Sequence, residues 1–92
     1  MSAPETLDTR GLLCPLPVIR TQDRIRGLPP GTELEVIATD PGTRQDIPAW
    51  CRVHGHSLLE MQTSENADPG KASVYRFRIR VMRTPGAPIR QE

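Results

Sequence analysis

An α/β domain, built as a two-layer sandwich in the order β-α-β-α-β-β, is what this sequence predicts. Three observations carry the prediction. From Ser73 to Met82 the chain alternates cleanly, with Tyr75, Phe77, Ile79 and Val81 on one face and Arg76, Arg78 and Arg80 on the other, the period of a half-buried strand. Pro- and Gly-rich stops at residues 27–31 and a lone Gly55 close two stretches of helical period. Two helices cover only one face of a four-stranded sheet, so the other face is left open.

The elements follow in order. Residues 1–5 read as a flexible arm and Thr6 to Thr9 as a short first strand. The turn Arg10-Gly11-Leu12-Leu13 leads to a helix over residues 15–26. Pro15 suits its first position, where a missing N–H would have had no partner. Val18, Ile25 and Leu28 fall near one stripe, with Thr21 and Gln22 between them. The second strand runs from Glu33 to Thr39, with Leu34, Val36 and Ala38 on one face and Glu33, Glu35 and Ile37 on the other. Asp40-Pro41-Gly42 is a turn, and the second helix ends near Gly55, which fits a left-handed cap. Thr43 and Asp46 resemble a capping box, but Pro48 would then lie inside the helix and cost a hydrogen bond. Asp46 is therefore the preferred N-cap, with Ile47, Trp50, Cys51 and His54 sharing one face. Ser57 to Thr63 is the third strand, residues 64–72 form a polar turn containing Asp68-Pro69-Gly70, and residues 83–92 form a disordered tail. The domain proper is 6–82. Right-handed crossovers make the first three strands parallel, and the fourth returns antiparallel.

Composition narrows the function. The 92 residues make one domain, with 36% hydrophobic and 25% charged residues. Trp50, Tyr75 and Phe77 are the only aromatic residues apart from histidine, so the core is aliphatic, and its small size argues against a large internal cofactor cavity. Eleven of the twelve basic residues are Arg, yet the net charge is only +1, which disfavours a strongly basic nucleic-acid binder. No apolar run reaches the ~18 residues of a membrane span. The N-terminal residues lack a basic region followed by an apolar one, so a cytoplasmic protein with no membrane attachment is expected. Cys14 and Cys51 are then reduced thiols. With no CxxC and no Cys/His pair at metal spacing, neither a metal site nor thioredoxin-type chemistry is expected.

Cys14 is the centre of interest. It stands just before the first helix, at the expected N-cap, where the positive end of the helix dipole favours an anion. Cysteines so placed can have pKa values lowered to about 3.5–7.5 when further partners help. Pro15 and Pro17 carry no N–H, which leaves the Leu16 N–H as a donor to a thiolate or persulfide, while the two fixed rings stiffen the turn. Arg10, four residues upstream, adds positive potential. From the residues alone, a functional thiol and a small buried filler are both open. His54, on the apolar stripe, reads as a structural histidine, and His56, after the Gly cap, as an exposed loop residue. Neither is placed against Cys14, so a cysteine hydrolase has little support. Cys51 reads as core. The Arg76/Arg78/Arg80 row reads as cross-strand pairing with Glu33 and Glu35, and with Glu60 on the third strand.

The segment Leu7-Asp8-Thr9-Arg10-Gly11-Leu12-Leu13-Cys14-Pro15-Leu16-Pro17-Val18 resembles the Cys-Pro-X-Pro signature of the TusA family of sulfur-carrier proteins, also called SirA-like. Thr39-Asp40-Pro41-Gly42, Asp46-Ile47-Pro48-Ala49-Trp50-Cys51 and Gly55-His56-Ser57-Leu58-Leu59 are similar to its second block. The resemblance covers roughly residues 6–82. It implies a mixed sheet of strand order 1-2-4-3. It implies that Cys14 accepts sulfane sulfur as a persulfide from a cysteine desulfurase or a rhodanese, and passes it to a DsrE- or TusD-like acceptor. Asp8, Arg10, Gly11, Pro15, Leu16 and Pro17 are the supporting motif residues. No cofactor or metal is implied, and no direct nucleic-acid contact; the carrier is expected to be a monomer. The pathway served would be tRNA 2-thiouridine synthesis or dissimilatory sulfur oxidation. The competing reading is a non-catalytic regulatory or nucleic-acid-binding module on the same fold.

Overall fold

A computed structural model describes residues 5–64 and 73–82. The elements are β1 (Glu5–Thr9), α1 (Leu16–Ile25), β2 (Glu33–Ala38), α2 (Thr43–His54), β3 (Ser57–Ser64) and β4 (Val74–Arg80). They form one four-stranded sheet of order β1-β2-β4-β3, with both helices on one face. β1 and β2 are parallel, while β4 runs antiparallel to both β2 and β3. The order and topology are those expected. Glu5, expected in the arm over residues 1–5, belongs to β1. The rest of that arm, most of the polar turn with Asp68-Pro69-Gly70, and the tail from residue 83 lie outside the described residues. Among the described residues, no helix is long and apolar enough to cross a membrane.

The core lies between sheet and helices. Leu34, Val36 and Ala38 of β2 and Phe77 and Ile79 of β4 are fully buried, with Ile25 and Ile47 pressing from the helices. Each of the Leu, Val, Ile and Phe side chains among these contributes roughly 1.5–3 kcal/mol on burial. Trp50 closes one side, and its Nε1–H donates to Gln22 Oε1 at 3.2 Å, tying α2 to α1.

The buried face of α1 is Pro17, Thr21 and Ile25, whereas Val18 and Leu28 are only partly buried. Thr21 can replace an aliphatic residue because its hydroxyl donates to the Pro17 carbonyl at 2.8 Å and brings no unsatisfied polar group into the core.

α2 departs from expectation at its start. The helix begins at Thr43, not after an N-cap at Asp46, and Pro48 sits inside it. The reason lies upstream. Asp40 Oδ1 accepts the Gly42 N–H at 3.0 Å, and the Asp40 carbonyl accepts both the Thr43 N–H (3.0 Å) and the Thr43 hydroxyl (2.7 Å). The turn at residues 40–42 is thus already wound as the helix entrance, and Pro48 costs only one internal bond. Gly55 ends the helix at φ 78°, as its position implied.

His56 also departs from expectation. It is 7% exposed, its ring stacks on Trp50, and its Nδ1 accepts the Met82 N–H at 3.1 Å. His54 tilts against the same indole and is partly buried, as the helical stripe implied.

The open face of the sheet carries the charges. In register, Arg80 faces Glu33, and Arg78 lies between Glu35 and Glu60. The ion pairs are Arg80–Glu33 (3.4 Å), Arg76–Glu35 (3.7 Å) and Arg78–Glu60 (3.8 Å). The arginine row is a cross-strand ladder.

Candidate functional site

The parallel pairing of β1 with β2 brings the carboxyl ends of both strands to one edge, with Thr9 opposite Ala38. The loops that follow, residues 10–15 and 39–42, meet there. That edge is the usual binding edge of parallel strands.

The β1–α1 loop is fixed at several points. Arg10 Nε and Nη2 donate to the two carboxylate oxygens of Asp8 at 2.9 and 2.8 Å. This fork holds the Asp8 carboxyl down to about 2. Gly11 takes φ 84°, a left-handed conformation that disfavours any side chain, and its N–H donates to Thr39 Oγ1 at 2.9 Å. The Leu16 N–H donates to the Leu13 carbonyl at 2.9 Å. Pro15 stands at the N-cap position and Pro17 at the second position of α1.

These bonds place Cys14 one residue ahead of the N-cap, not on it, and change the expected electrostatics. Leu16 N–H is spent on Leu13, so it is not a donor to the sulfur. Arg10 is turned onto Asp8, so its charge is answered there. The Cys14 backbone N–H donates to Asp40 Oδ2 at 2.5 Å, and the Cys14 Sγ–H donates to Asp46 Oδ2. A carboxylate that accepts a thiol proton stabilises the protonated form. The Asp46 hydrogen bond comes first, then partial burial and the charges of Asp46 and Asp40, and together they push the Cys14 thiol up to about 11. The expected low-pKa thiolate is therefore overturned for the free chain. Asp40 is pushed the other way, below the usual carboxylate range, by the N–H groups of Cys14 and Gly42.

Space and surface complete the site. Cys14 is partly exposed, and Leu13 beside it is 72% exposed. Leu16 and Ile19 extend this apolar surface along α1. A Cβ built on Gly42 would stand 3.5 Å from the Cys14 sulfur, so a side chain at this position would lie against the thiol. Cys51 is different: it is buried, and desolvation alone pushes its thiol up to about 11. Among the described residues, no group of three His, Cys, Asp or Glu side chains is placed to hold a metal ion.

Of the expected motif residues, Arg10, Gly11 and Pro15 lie in the loop that carries Cys14, Asp8 lies near the end of β1, and Leu16 and Pro17 open α1. Asp40 and Asp46, which hydrogen-bond the cysteine directly, lie 26 and 32 positions away in the chain and were not expected as site residues. The signal available for them was the right-handed β1-α1-β2 unit, which forces the two loops together.

A family model described as sulfurtransferase TusA matches residues 5–81. The chain is 52% identical over 68 residues to the sulfur carrier protein TusA of Pseudomonas fluorescens (strain SBW25), covering 67% of this chain and 82% of the relative. It is 54% identical over 56 residues to the sulfur carrier protein TusA of Pseudomonas paraeruginosa (strain DSM 24068 / PA7), covering 61% and 71%. It is 46% identical over 65 residues to the YrkI protein of Bacillus subtilis (strain 168), covering 71% and 85%.

Proposed function

This chain belongs to the sulfurtransferase TusA family, and from that premise we propose that it is a sulfur-relay carrier whose Cys14 holds sulfur as a persulfide. The observation that carries the reading is the placement of the two thiols. Cys14 lies in the Cys-Pro-Leu-Pro turn at the binding edge of the sheet, reachable from solvent and flanked by exposed Leu13, Leu16 and Ile19. Cys51 is sealed in the core.

The chemistry is exchange between a thiolate and sulfane sulfur. Cys14 attacks the outer sulfur of a donor persulfide, and an acceptor thiolate later attacks the outer sulfur held on Cys14. The donor is a cysteine desulfurase or a rhodanese, and the acceptor a DsrE- or TusD-like protein. The chain acts as a cytoplasmic monomer that two partners visit in turn, in tRNA 2-thiouridine synthesis or in dissimilatory sulfur oxidation. A sulfurtransferase of this kind turns over only with its partners. A nucleic-acid-binding role on the same fold loses support because Arg76, Arg78 and Arg80 are each answered by a glutamate.

The test is intact mass after incubation with a cysteine desulfurase and cysteine. Wild type and Cys51→Ser should gain one sulfur atom, removable by dithiothreitol, and Cys14→Ser should gain none. Loading that persists in Cys14→Ser and disappears in Cys51→Ser would defeat the assignment.

A further inference from the structure

The carrier reading leaves one contact unexplained. A sulfur meant to act as a nucleophile is bonded through its proton to a carboxylate, whose negative charge favours the thiol over the thiolate. The charged groups on the elements around the sulfur are few. Asp46 comes from α2 and Asp40 from the β2–α2 loop, while Arg10 on the β1–α1 loop is bound to Asp8. Arg44, in the first turn of α2, lies over the Tyr75 ring, 6.0 Å from its centroid. The first turn of α1 carries no acidic side chain. Asp46 is thus the group that holds the thiol proton, and Asp40 fixes the backbone beneath it.

We propose that Asp46 is a positioning residue that keeps Cys14 protonated in the free chain and disfavours the anionic persulfide that Cys14 becomes, so that sulfur once loaded is passed on rather than kept. This rests on the carrier reading and concerns the same cysteine.

The loading step balances without an outside oxidant or reductant. The Cys14 sulfur gives its proton up and attacks the outer sulfur of the donor persulfide. A Cys14 sulfur–sulfur bond forms as the donor's sulfur–sulfur bond breaks, and the electron pair leaves on the donor sulfur. That sulfur takes up the released proton. One thiol has become a persulfide and one persulfide a thiol. A persulfide loses its proton more readily than a thiol, so the product on Cys14 is an anion facing the carboxylates of Asp46 and Asp40. The like charges that held the thiol neutral now work against the product, and transfer to an acceptor relieves them.

The proposal makes reactivity and sulfur retention move together when Asp46 is neutralised. Cys14 alkylation by iodoacetamide is followed by peptide mass across pH for wild type, Asp46→Asn and Asp46→Glu, with circular dichroism establishing the fold. In Asp46→Asn the midpoint of the alkylation profile should fall by at least about one pH unit, which is roughly a tenfold gain in rate below the midpoint. Asp46→Glu should stay near wild type. Each protein is then equilibrated with glutathione persulfide and glutathione, and Asp46→Asn should hold a severalfold larger persulfide fraction. Should Asp46→Asn unfold, Asp46→Ser serves in its place. A midpoint that does not move, or a persulfide fraction that stays at the wild-type level in proteins that do take up sulfur, overturns the proposal; a residue of merely structural importance would shift neither. If no protein takes up sulfur while the midpoint still falls, it is the carrier reading that fails, and the hold of Asp46 on the thiol stands.

Discussion

The backbone N–H of Cys14 donates to Oδ2 of Asp40 across 26 positions of sequence. The other oxygen of the same carboxylate accepts the Gly42 N–H and so shapes the entrance to α2. One side chain therefore sets both the height of the cysteine and the start of the helix whose Asp46 reaches its sulfur.

Asp40→Asn separates these duties. An amide offers one acceptor and one donor, so one of the two N–H groups must lose its partner. The variant should melt at a lower temperature than wild type at neutral pH. The carboxyl of Asp40 is held below its ordinary value in the fold, so its contribution is present above about pH 4 and fades as pH falls through the lower folded value. Asp8, held at about 2, adds a loss of the same sign over the same acid range in both proteins. The melting curves of wild type and Asp40→Asn should thus converge in acid. A gap that stays constant from neutral pH to acid would show that the charge of Asp40 is irrelevant.

Gly11→Ala tests the loop from the other side. A Cβ there meets nothing within 4 Å, so the cost is conformational and comes from φ 84° alone. A left-handed non-glycine residue costs about 1–2 kcal/mol. In a domain of this size each kcal/mol lowers the melting temperature by roughly 4–8 °C. Sulfur loading at a temperature where the variant is folded should match wild type. A variant that melts at or above the wild-type temperature would contradict this account.

Arg78→Ala tests the ladder. Arg78 stands between Glu35 and Glu60, and its side chain is 43% exposed. Exposed ion pairs contribute little, so denaturant unfolding should show a loss of no more than about 0.5 kcal/mol. Sulfur loading and discharge should be unchanged. A folded Arg78→Ala protein that no longer exchanges sulfur with a partner would instead mark the open sheet face as a docking surface.

The sheet was legible in the sequence because its signals are local. The Tyr75-to-Val81 alternation and the Leu34-Val36-Ala38 set each declare a buried face within a few residues. The site was legible only by halves. The Cys14 turn announces itself, but the carboxylates of Asp40 and Asp46 reach it only through the parallel pairing of β1 and β2, which no local pattern encodes. Hence the helix entrance suggests a lowered thiol pKa, when the groups that decide its protonation stand on other elements. The same cause explains His56. Its partner is the Met82 backbone, 26 residues on, and a residue just after a glycine cap gives no local sign of burial. At α2, Pro48 argues locally against an early helix start, while the side chain that shapes that start, Asp40, lies upstream of the helix.

The position of β4 has a consequence for how the chain is made. It is the last of the described strands, yet it lies inside the sheet, bonded to β2 on one side and β3 on the other. Ala38 finds its partner Tyr75 only when that distant residue has been synthesised. Until β4 leaves the ribosome, β2 and β3 each present an unpaired edge, and the apolar faces of Leu34, Val36 and Ile47 lack Phe77 and Ile79. The nascent chain is therefore most prone to aggregate after β3 has emerged and before β4 follows, and the sheet closes only when β4 arrives.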